Sequence, residues 1–221
     1  MDNWILHWLE ANGSLAAWRS DVVQQAEAAY ATVAAWMPPP PLDILLQPAP
    51  GQVIPEIGLL GRAWSATLLS ISLDPQNPAL PVALQDDTLH RQLLHEVHHC
   101  LRMAGPGYGW TLGEALVSEG LAGQFVTTLL GSAPERWECA LSASQLRQLP
   151  LTAAMLAERH YDHAAWFFGT ASLPRWAGYS LGYAMAGAWR EQIGAPSATQ
   201  WVEVSANEVI AAAIVRGVIA G

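Results

Sequence analysis

His95, Glu96, His98 and His99 stand within five residues of one another in the run HEVHHCLR, residues 95–102. If that run is helical, His95 and His99 lie one turn apart on a single face. Two imidazoles at this spacing bind one zinc ion. Glu96, beside the first of them, reaches a water on that metal and takes its proton, which is the chemistry of the HExxH arrangement. Zinc lowers the pKa of a bound water to about 7, and the glutamate completes the activation as general base. His98 offers a competing pairing with His95 at three-residue spacing. Only the 95/99 register leaves a glutamate in the general-base position, so that register is adopted. His98 then points off the metal face, to a supporting or a surface role, and Cys100 faces away from the metal. HExxH is short, and it also occurs in helices that bind nothing.

A catalytic zinc takes three protein ligands and keeps one position for water. The helix carrying the histidines runs into AGPGYGW, a glycine- and proline-rich turn, and TLGEALVSEGLAGQF then begins a second helix. Thr111 and Glu114 have capping-box spacing, which makes Thr111 the N-cap and gives Glu114 a structural task. Glu119 is therefore the better third ligand. At about 1.5 Å per residue, His99 lies about 9 Å and His95 about 15 Å back from Gly105, whereas Glu119 lies about 12 Å forward from Thr111. In an antiparallel pair Glu119 falls level with the histidines, and Glu114, about 4–5 Å along, sits too near the turn. Gly120 and Gly123 would allow close helix approach.

HEVHH followed by SEGLA, with Glu119 twenty positions after His99, resembles the gluzincin pattern of thermolysin-like zinc peptidases. HEVHHCLR, SEGLAGQF and the later WAGYSLGYAMAG, between Leu94 and Ala188, resemble a family of bacterial proteins described as predicted Zn-dependent proteases. The first forty residues show no resemblance. The resemblance implies a zincin-like fold, with His95, His99 and Glu119 as zinc ligands, Glu96 as catalytic base and a peptide or protein as substrate. It also implies that the strand ending ATLLSISLD, residues 66–74, is a sheet edge along which an extended peptide lies. In thermolysin an Asp one turn after the ligand Glu supports the first His. Here that turn reads Ala122 and Gly123, so the support of His95 must come from elsewhere.

The transition state also needs a donor for the developing oxyanion. RWAGYSLGYAMAG supplies Tyr179 and Tyr183, four apart and able to share a helical face. Either serves as donor, or both are core tyrosines packed against Trp176. Arg102 continues the metal face and either holds a supporting carboxylate or makes a surface salt bridge. His160 and His163 flank Asp162 in AERHYDHAAW; a second metal site there lacks further ligands, and a helix-surface role is the simpler reading.

These residues must be positioned by a chain of 221 residues, of which 52% are hydrophobic and only 13% charged, about half the usual charged share. That length buries a sizeable core. With eleven tryptophans and little charge to cover it, an apolar groove or a homo-oligomer surface is expected. The net charge of −9, with no basic run, argues against nucleic acid and anionic membranes. No window reaches the apolar length of a membrane span, and the N-terminus lacks the features of a secretory signal. Cys100 and Cys139 are read as two buried thiols in a reducing cytoplasm.

Residues 2–36 read as helical, and the proline run Met37–Pro41 ends that segment. Short apolar runs between Leu42 and Leu73, broken by Pro and Gly, read as strands, with Ser65–Leu73 the strongest. DPQNPALP is a loop. Helical periodicity then predicts helices near 86–104, 111–130, 134–147, 150–168, 178–193 and 198–216. Ser197 with Gln200 and Ser205 with Glu208 are further capping boxes. The expected fold is α+β and mainly helical. A small antiparallel or mixed sheet (42–85) packs on a zinc-binding helix pair (86–130), followed by a C-terminal helical bundle (134–221), all in one metallopeptidase domain. The functional expectation is a zinc peptidase. The alternative is a zinc-stabilised scaffold that cleaves nothing, in which Glu96 would have no task.

Overall fold

The computed structural model describes residues 1–220. The protein is α+β and mainly helical, with a small mixed sheet in its N-terminal part followed by helices, as expected. Its chain divides into two compact units, residues 1–104 and 105–221. Among the described residues no helix is long and apolar enough to cross a membrane.

The first unit is built on four strands, β1 (Trp4–Trp8), β2 (Leu42–Pro48), β3 (Leu59–Ser65) and β4 (Leu68–Leu73), in the order β1-β2-β4-β3. The first three in that order are parallel, and β3 closes the sheet antiparallel to β4. β2 alternates, burying Leu42, Ile44 and Leu46 and turning Asp43 outward. β4 is buried from Leu69 to Leu73 on both faces, the pattern of a central strand. Expectation and structure differ here: β4 is not the sheet edge. That position belongs to β3, whose LLGRAWS sequence carries too little apolar alternation to stand out.

Helix α1 (Arg19–Ala34) buries Val22, Ala26, Ala29 and Val33, a stripe at helical spacing, and packs on α3 (Thr88–Met103). A short α2 (Leu80–Gln85), opened by Pro81, precedes α3 and packs beside both. The expected helix over 2–36 is corrected to a strand, a 3-10 turn (Ala16–Trp18) and α1. NWILHW is apolar in either periodicity. β2 supplies the pairing partner, Trp4 packs edge-on against Tyr30, and Asn3 and Trp4 donate to Pro39 and Pro40 carbonyls in the proline run. Tertiary context overrides local propensity there.

In the second unit α4 (Leu112–Leu130) is buried almost all round. It crosses α8 (Ala177–Ile193) where Gly120 meets Gly182: a Cβ at position 120 would lie 1.9 Å from the Gly182 carbonyl oxygen. Gly120 thus permits close approach, and the structure shows α8 as the partner it meets. Thr111 and Glu114 form the expected capping box, and Gly131 ends α4 in the left-handed conformation. The helix expected over 134–147 shrinks to α5 (Ala143–Leu146), and that over 150–168 splits into α6 (Ala153–Leu156) and α7 (His163–Phe168). The segment 198–216 divides at Val204 into α9 (Ala198–Glu203) and α10 (Ala206–Val215), each opened by its predicted capping box. A second cap inside one apolar stretch starts a new helix rather than continuing the old one.

Candidate metal centre

Helix α3 is buried along most of its length, polar residues included. Leu89, Leu93, Val97 and Cys100 join the core, and α3 packs on β3 and β4. The helix also brings His95 and His99 together. Their Nε2 atoms lie 3.1 Å apart, with the rings edge to face at 81°. Two imidazole nitrogens on one tetrahedral zinc stand about 3.3 Å apart, given bonds of about 2.0–2.1 Å. The donor pair therefore fits that metal in both chemistry and spacing. His99 is buried, while His95 is partly exposed.

Glu96 is buried and lies directly against Gly61 of β3. A Cβ at position 61 would come 2.6 Å from Glu96 Oε1. The glycine is thus the slot that accepts the carboxylate. His98 is fully buried, which corrects the surface half of its expectation. Cys100 turns to the sheet, where its thiol donates weakly to the Leu68 carbonyl at 3.8 Å. Burial, followed by the charge of Glu96, pushes that thiol up to about 12. Arg102 is buried, and burial lowers its guanidinium to about 10.

Glu119, on α4, is half-buried, and its Oε1 accepts a 2.7 Å hydrogen bond from the Tyr108 hydroxyl. Burial and the Glu119 charge raise the Tyr108 phenol well above its ordinary value. Tyr161 is raised too, by burial first and then by the charges of Glu119 and Glu114. The Tyr108 loop is held by the N-terminus of α4. Glu114 accepts from the Trp110 and Thr111 backbone N–H groups and from the Thr111 hydroxyl. The Trp110 bond is the main reason that the Glu114 carboxyl is held below its ordinary value.

Tyr179 packs edge-on against Phe167 and lies near enough to Tyr108 to influence its ionisation. The Tyr183 hydroxyl instead donates to Thr127 Oγ1 at 3.2 Å. His160 is exposed, the half-buried His163 stacks on Phe167, and Asp162 caps α7 by accepting from Ala165 N–H. Tyr108 is the residue that the sequence did not single out. Its only local signal is a tyrosine between two glycines immediately ahead of a capped helix.

A family model described as "Predicted Zn-dependent protease" matches residues 23–211. No curated protein and no solved structure matches the chain.

Proposed function

The chain belongs to that family of predicted Zn-dependent proteases, and from this premise we propose that it is a gluzincin-type zinc peptidase acting on a peptide or protein. The observation that carries the reading is the histidine pair, two Nε2 atoms meeting at 3.1 Å beside a buried glutamate. Glu119 is the third ligand in this proposal. It is supported by its place on α4, twenty positions after His99, with Glu114 already engaged in the capping box.

Zinc, when bound, supplies a Lewis acid and a water acidified to about pKa 7. The remaining steps belong to the chain. Glu96 takes the proton of the attacking water and returns it to the leaving amine. Gly61 gives the Glu96 carboxylate its place beside β3, and the outer side of β3 is the edge along which an extended substrate pairs. Tyr179 is the preferred oxyanion donor over Tyr183, because it neighbours Tyr108 while Tyr183 is engaged with Thr127. Cys100 is buried and Cys139 exposed, and neither forms a disulfide; free thiols suit the reducing cytoplasm in which we place the protein.

The alternative, a zinc-stabilised scaffold without turnover, leaves Glu96 with no purpose at the histidine pair. The two are separated by Glu96→Gln. The peptidase reading expects zinc content to be unchanged and cleavage of an unfolded protein substrate to fall by about 10²–10⁴-fold. Equal cleavage by the variant and the wild type would remove Glu96 from the reaction.

A further inference from the structure

We propose that Tyr108 is a positioning residue for Glu119, holding its carboxylate in the orientation that a metal ligand needs. The inference rests on the zinc-ligand reading above. A carboxylate can accept on both oxygens. Here the Tyr108 hydroxyl donates to Oε1 at 2.7 Å, which fixes the orientation of the carboxylate. The bond also draws charge away from the ligand, so the bound metal remains the stronger Lewis acid.

The protein builds this contact deliberately. Gly107 and Gly109 adopt φ values of +86° and +100°, a region that side-chain-bearing residues avoid. Gly109 lies on Glu114: a Cβ there would stand 2.2 Å from the Glu114 Cβ. Glu114 in turn holds the Trp110 and Thr111 N–H groups. The loop is thus fastened to the first turn of α4 from two residues after Tyr108. Its phenol reaches Glu119, which lies about two helical turns along α4 from the Thr111 cap.

The test is Tyr108→Phe, which deletes one oxygen and keeps the ring. Zinc affinity is measured by competition with a chromophoric chelator, together with the visible spectrum of the cobalt-substituted protein. We expect zinc to bind about 10–100-fold more weakly and the cobalt bands to shift, with the thermal unfolding of the metal-free protein little changed. Unchanged affinity and an unchanged cobalt spectrum would overturn the proposal. A wild type that binds no zinc would overturn the ligand reading along with it. Should Tyr108→Phe fail to fold, the wild type still decides. Its infrared difference spectrum on zinc addition should shift a tyrosine phenol C–O band together with the carboxylate bands, and carboxylate bands that shift with no phenol band moving would contradict the role given to Tyr108.

Discussion

Glu96 and Cys100 stand one turn apart on α3, yet their environments assign them opposite chemistry. Glu96 lies in the space left by Gly61, at the edge strand. Cys100 is sealed against the sheet with its thiol pushed up to about 12, where thiolate is scarce at neutral pH. Cys139 is exposed on the second unit, against the expectation of two buried thiols. An aromatic disulfide reagent should therefore titrate one thiol in the native protein and the second only after denaturation; two fast thiols would contradict the placement of Cys100. The histidine pair and Glu96 were legible in the sequence because their relation is local, fixed by one turn of helix. Tyr108 was not, because its contact with Glu119 is made through a glycine loop that has no periodicity to read.

At the scale of elements, caps were the most legible feature. Thr111, Ser197 and Ser205 each start the helix that their spacing announces. Strand pairing was the least legible. β1 exists because β2 is there to pair with it, and β3 takes the edge because β4 is buried on both faces. The α4 cap carries a pH signature. Glu114 is held below its ordinary 4.5, chiefly by the Trp110 N–H. A carboxyl whose folded pKa is lowered contributes stability that is present above its unfolded pKa and is lost as the pH falls through the folded value. Glu114→Ala should then cost about 1 kcal/mol at pH 7, and the gap to wild type should narrow below about pH 4.5. Denaturant unfolding at several pH values measures it, and a gap independent of pH would show that the carboxylate charge is not what the cap uses.

For the molecule as a whole, composition indicated a well-buried chain, and the mainly helical class followed from periodicity. What composition could not show was that the chain divides near Ala104, because each unit's core is assembled from segments distant in sequence. Metal binding to the native state alone would stabilise the whole chain by mass action. The central claim is therefore tested most directly by the metal content of the purified protein after zinc addition at neutral pH, measured beside Glu119→Ala and Glu114→Ala. The account predicts about one zinc per chain in the wild type and in Glu114→Ala, and loss of zinc in Glu119→Ala. A wild type without zinc, or a Glu119→Ala variant that keeps it, would contradict the account.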